Sequence, residues 1–366
     1  MERYYYGAGN AMGYSYSGSE LLKADSPMMS TTAGTYQAIY GRKVWSQLNQ
    51  EFNAFSILPK KPWDRSGWRV ITGKPNGGAL HGGVAENSTL PETVRPTFQH
   101  VAAKPKTIAH TFDMSETAIF LADRDDGMGD IRSVLKEEMG KHHAEMVNKM
   151  LLTDVSTAAA NNFESLDRIT TGNTNMVSGT HYDAGDEDIY SIDRSTNPWS
   201  FAEDNADGSS ANRTLSLDHL DDLFQKIWTR GGNPKVILTG YDTLMRLQQL
   251  LQSQQRFMEE KRVTPTYNGV KGVPGIEAGF IVATYNGVPI IPTKDMPDDG
   301  AISRMYFLDT DYMHFSTAIP TQYFESGIET GDPFAINRLG QEGLYRTMGE
   351  VWTTFFGAQG SVRDLK

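Results

Sequence analysis

Two alternating apolar–polar runs, one at residues 68–72 and a longer one at 97–113, flank a tip rich in Gly, Pro, Asn and Glu. A period of two marks β-strands, so the segment reads as a long hairpin with a loose end. A two-stranded ribbon is marginal by itself in water and needs a surface to lie on, supplied either by its own chain or by another copy. The chain must therefore build a body elsewhere and project this ribbon from it. Lys74, Asn76, His81 and Glu86, all in the tip, become candidate contact residues.

A second unsupported segment opens the chain. Residues 1–34 are rich in Gly, Ser and Tyr, with neither a strand nor a helix period, and cannot bury a core of their own. They read as an arm. Tyr4, Tyr5, Tyr6, Tyr14 and Tyr16 carry the amphipathic rings that interfaces favour, making them contact candidates on a neighbour. From residue 35, apolar side chains recur every three or four positions and predict a helix that Pro59 stops.

The remainder has enough periodicity for a packed core. Ser115 and Asp130 are good helix N-caps, and after Asp130 the positions Ile131, Leu135, Met139, His143, Met146 or Val147, and Met150 trace one face of a long helix. Residues 161–212 turn Asp-, Asn-, Gly- and Ser-rich, reading as an irregular insertion on the outer surface or in contacts. A helix at 217–230 stopped by Gly231-Gly232, a strand at 235–239 and a helix from Asp242 form an α/β unit. Two strands joined by Asn286-Gly287 follow, that pair being the strongest short hairpin signal. Further strands are predicted at 305–308 and 313–317, then a β-rich block from Tyr323 to Gly357.

Chemistry is harder to find. The 366 residues include no cysteine, which removes thiol nucleophiles, disulfides and thiolate metal sites. No apolar run reaches the ~18 residues of a spanning helix, and no basic-then-apolar leader opens the chain, so no membrane role is expected. With 45 acidic against 34 basic residues, the net charge of −11 repels phosphate and argues against sequence-specific nucleic-acid binding. The glycine-rich stretch at 73–83 lacks the lysine of a phosphate-binding loop, GYSYSG misses the nucleophile-elbow spacing, and His142 and His143 are adjacent rather than spaced for zinc. Glu203, Asn205 and Asp207, followed by Gly208, match the first positions of an oxygen-donor calcium loop, but the twelfth is Thr214 in place of a bidentate Glu. These three are the weak metal candidates. No catalytic residue and no cofactor is expected.

Three pieces, VILTGYDTLMRLQQLL, GVPGIEAGFIVATYNGVPIIPTKDMP and RMYFLDTDYMHFSTAIPTQYFES, resemble in order and spacing the HK97-fold major capsid proteins of tailed viruses. That resemblance implies an α+β fold with an N-arm and first helix over 1–65, an E-loop hairpin over 66–112 and a P-domain from 113–155 and 320–366. The A-domain would be 156–319, with the polar insertion inside it. It also implies a virion protein that assembles in the host cytoplasm as pentamers and hexamers of an icosahedral shell around double-stranded DNA, aided by a separate scaffolding protein and a portal. The Asn286-Gly287 hairpin would then contact its counterparts in the ring. Some members join an E-loop lysine to a P-domain asparagine; Lys74 and Asn337 lie in the corresponding regions. Two other readings are an encapsulin-like nanocompartment shell and a metal-dependent enzyme with an Asp-rich insertion.

Overall fold

The computed structural model describes residues 53–73, 86, 95–124, 131–153, 161–173, 188–206, 212–253, 261–263, 280–282, 284–298, 301–331 and 339–366. The chain divides into two compact units. Among the described residues, unit 1 holds those from 109 to 143 and from 322 to 346, and unit 2 holds those from 53 to 108, from 144 to 321 and from 347 to 366.

Unit 2 is organised by a mixed six-stranded sheet. Its strands are β5 (Glu203–Asn205), β6 (Val236–Thr239), β9 (Thr284–Tyr285), β10 (Val288–Pro292), β11 (Met305–Leu308) and β14 (Gly360–Val362), in the order β5-β14-β11-β6-β10-β9. The central strands are continuously apolar because both faces are covered. Met305 and Phe307 of β11 join one core cluster with Ile237 and Ile290, while Tyr306 and Leu308 join the other with Leu238. One sheet thus separates two cores by the strand's period of two.

The helices α5 (Leu217–Arg230) and α6 (Tyr241–Ser253) belong to this unit. Leu220, Leu223 and Ile227 of α5 are fully buried, and Phe224 meets Phe307 edge to face at 5.2 Å. Gly231 ends α5 as predicted. At φ 99° it takes the left-handed conformation that favours glycine, and its N–H closes on Ile227 O at 3.1 Å and Trp228 O at 2.9 Å. The turn between β9 and β10 also forms as read from the sequence: Asn286 at φ 51° and Gly287 at φ 81° are both left-handed, the pattern of a type I′ hairpin turn.

The predicted ribbon is present but shorter. Strands β2 (Gly67–Gly73) and β3 (Thr97–Ala102) pair antiparallel, whereas the second run breaks at residues 103–105 and resumes as β4 (Lys106–Ser115). Pro105, which lacks an N–H, falls in the break. Strand β4 leaves the ribbon and enters a four-stranded sheet ordered β1-β12-β13-β4, with β1 (Lys60–Pro62), β12 (Met313–Gly327) and β13 (Gly340–Thr353). Of the helix expected from residue 35, only α1 (Asn53–Ile57) lies within the described residues.

The 161–212 segment departs most from expectation. Residues 163–172 are buried, and Phe163, Leu166 and Ile169 are in the core, so this part is interior rather than surface decoration. Its short helix α4 (Leu166–Ile169) is capped by Ser165, whose Oγ accepts from Arg168 N. Asp167 lies at the centre of a fully buried charged network. Its Oδ1 accepts from Arg304 Nη1 at 2.9 Å and from Tyr306 OH at 2.6 Å, and Arg363 Nη1 forms an ion pair with it at 2.9 Å without hydrogen-bond alignment. Burial and the Asp167 carboxylate hold the Tyr306 phenol far above its ordinary range, so it serves as a donor.

In unit 1, helix α2 (Glu116–Arg124) begins after Ser115, whose Oγ accepts from Ala118 N at 3.3 Å, as an N-cap does. The long helix α3 (Ile131–Leu152) contributes to both units and carries the predicted face, with Ile131, His143 and Val147 buried. Within unit 1, Arg132 donates from Nε and Nη2 to the two oxygens of Glu325, both at 2.6 Å. Those bonds hold the Glu325 carboxyl below its usual range.

Candidate assembly surface

The ribbon's two faces have different environments because residues opposite in register share a face. Trp68 pairs with Val101 and Val70 with Gln99, and this face packs on the core of its own unit 2. Trp68 packs on Trp352 with ring centroids 4.7 Å apart and planes tilted by 33°, and it meets Tyr190 edge to face at 5.4 Å. From the polar segment, Trp199 Nε1 donates to Gln99 Oε1 at 2.9 Å, and Tyr190 O accepts from Ala102 N at 3.3 Å. The residues read as a surface insertion thus brace the base of the ribbon.

The opposite face presents Arg69 against His100 and Ile71 against Phe98. Ile71 is 61% exposed and Phe98 58% exposed. A β-branched residue opposite an aromatic is a favourable cross-strand pair, but here it leaves an apolar spot in water beside two basic side chains. Sequence alternation distinguished the two faces without showing which would be covered. A 690 Å³ cavity opens at the ribbon base, lined by Asp64, Arg65, Trp68, Arg69, His100 and Trp352 among others.

A second apolar spot is on α6, where Tyr241 and Met245 are 66% and 43% exposed one turn apart. The hairpin residues Asn286 and Gly287 are exposed at their turn, as is Glu86. Tyr4, Tyr5, Tyr6, Tyr14, Tyr16, Lys74, Asn76, His81 and Asn337 lie outside the described residues.

Two of the three calcium candidates, Glu203 and Asn205, do not lie in a loop. Glu203 and Asn205 belong to β5, an extended strand paired in parallel with β14, where an oxygen-donor loop would have to curl around its ion. The Glu203 carboxylate receives Arg230 Nε at 2.6 Å, and Asn205 Nδ2 donates to Asp222 Oδ2 at 2.6 Å. Asp207 lies outside the described residues. We expect calorimetry to find no calcium binding tighter than about 10⁻⁴ M. A sub-micromolar site lost on Asp207→Ala would contradict this.

Among the described residues, no group of three His, Asp or Glu is disposed to hold a metal ion. Burial pushes the Glu350 carboxyl up to about 7 against the pull of Lys106, whose Nζ is 2.9 Å away. Its Oε1 is occupied by the N–H groups of Glu164 at 2.7 Å and Val351 at 3.0 Å, which ties it to the surrounding backbone.

The family model described as SU10 major capsid protein matches residues 106–341, well over half of the chain. No curated protein matches. Among solved structures, the Cyanophage A-1(L) capsid asymmetric unit is 14% identical, with a TM-score of 0.63 over 88% of this chain and 95% of that one. The capsid of the native GTA particle is 13% identical, with a TM-score of 0.56 over 89% and 93%. The holo-SrpI encapsulin complex from Synechococcus elongatus is 9% identical, with a TM-score of 0.52 over 90% and 94%. At these identities the likeness establishes the fold, which is α+β and HK97-like.

Proposed function

Because the chain belongs to the SU10 major capsid protein family, it is a structural protein of a phage-type virion, and we propose that its copies close into pentamers and hexamers of an icosahedral shell. The shell encloses double-stranded DNA without reading its sequence, and it assembles in the host cytoplasm with a separate scaffolding protein and a portal. The observation that carries the assembly reading is the ribbon. It is anchored on one face by Trp68 and Val70 and leaves Ile71 and Phe98 exposed in register on the other, a surface suited to a second copy. A single such contact is modest, but repetition around a closed shell makes it strong. The tip residues Lys74, Asn76, His81 and Glu86, the tyrosine-rich arm and the Asn286-Gly287 hairpin are the further contacts of this reading.

An encapsulin-like nanocompartment shares the fold, but the family match is to a viral capsid protein, which favours the virion. The net charge of −11 leaves little room for tight DNA binding by the subunit.

Light scattering and negative-stain microscopy of the purified chain, alone and with its scaffolding partner, test the reading. Closed particles of uniform diameter are expected, with any DNA affinity indifferent to sequence and lost as salt rises. A monodisperse 40.6 kDa species under every condition would remove the shell reading.

A further inference from the structure

Three imidazoles converge in unit 1. His143 of α3 is buried, and its Nδ1 lies 2.7 Å from Nδ1 of His110 on β4, a hydrogen bond between two rings set edge to face at 4.9 Å. His142, the next residue along α3, meets His110 edge to face at 5.6 Å. Sequence alone showed only an adjacent pair on a helix; the third ring comes from a strand 33 residues away.

An Nδ1–H···Nδ1 bond requires one ring to donate and the other to keep a lone pair. One imidazolium and one imidazole still satisfy that, so a first proton is tolerated. A second is not, because both Nδ1 atoms would then carry hydrogen and two cations would face each other. We propose that the His110–His143 pair is a proton-operated latch, holding β4 to α3 near neutral pH and releasing it when both rings are protonated.

The surroundings support this direction. Burial lowers His143 to about 4, with His110 and His142 adding repulsion, and burial followed by His142 lowers His110. From β13, Tyr345 faces His143 at 6.1 Å, and from β12 Tyr323 lies 5.0 Å from Tyr345. Burial raises both phenols, so neither supplies a negative charge in the acid range. The Tyr345 hydroxyl is already committed to Lys136 O at 2.8 Å. Because the folded values lie below the ordinary histidine value of 6.5, the pair's contribution is complete above 6.5 and is lost as pH falls toward 4.

Hydrogen exchange of the purified full-length chain, corrected for the intrinsic pH dependence, tests the latch. Amides of Lys106–Ser115 and of the first half of α3 should lose protection by about tenfold or more between pH ~7 and pH ~4, while β6 of unit 2 does not change. The double variant His110→Gln and His143→Gln, which can hydrogen-bond without titrating, should abolish the step. Imidazole NMR of the unsubstituted protein should place His143 well below the ordinary histidine range. An unsubstituted protein without the acid step, a double variant that retains it, or a His143 that titrates at or above the ordinary value would each overturn the proposal.

Discussion

Replacing Ile71 and Phe98 together by serine should leave the subunit folded and prevent shells from forming at concentrations where the parent chain assembles. The fold is spared because both side chains are already mostly in water, at 61% and 58% exposure, while Trp68, Val70 and Val101 hold the ribbon from its other face. Assembly depends on covering the exposed pair. Burying that much apolar surface contributes on the order of 1–2 kcal/mol per side chain at each contact. Losing about 2–4 kcal/mol per subunit raises the concentration needed for assembly roughly 30- to 1,000-fold. Circular dichroism and electron microscopy of one preparation read both halves. Shells at the parent's concentration would mean the ribbon's outer face is not an interface, and a collapsed subunit would mean the pair supports its own fold.

Asp167→Ala should have the opposite signature, unfolding the subunit itself. Asp167 is fully buried, and its carboxylate is the shared partner of Arg304, Tyr306 and Arg363. Removing one member of a buried ion network leaves the others charged in a medium that solvates them poorly, at a cost of about 3–5 kcal/mol. That is a large share of the roughly 5–15 kcal/mol that holds a domain folded. Lys235→Ala is the control, because Lys235 pairs with Asp311 at 2.6 Å with both side chains well exposed. An exposed pair of this kind contributes about 0–1 kcal/mol. Urea denaturation should separate the two variants clearly; equal midpoints would show that the buried network is not what holds the α4 segment in the core.

How much of this was legible beforehand depended on the range over which each feature is decided. Local features were legible. The α5 face of Leu217, Leu220, Phe224 and Ile227, the stop at Gly231 and the left-handed turn at Asn286-Gly287 each follow from residues a few positions apart, although Trp228, which the same spacing put on that face, is 76% exposed. The order of strands and helices from residue 234 onward was enough to suggest the HK97-like fold. The ribbon's alternation was also legible, because pleating alone sends neighbouring side chains to opposite faces.

Tertiary structure decided what the alternation and the composition left open. Nothing local distinguishes Val70 from Ile71 as the covered residue; Trp352, Tyr190 and Trp199, distant in sequence, make the choice. Asp167 reads as polar surface because its neutralising partners are remote. Arg304 and Arg363 lie 137 and 196 residues from Asp167, and a charge can be buried only where such partners meet it. The His110–His143 pair is of the same kind, assembled from a strand that shows one histidine and a helix that shows two adjacent ones, 33 residues apart. Sequence by itself determined the elements and their two-sided patterning, since those depend on backbone period and local sterics. Which faces were covered, which charges could be buried and which histidines share a proton depended on long-range contacts that only the folded chain brings together.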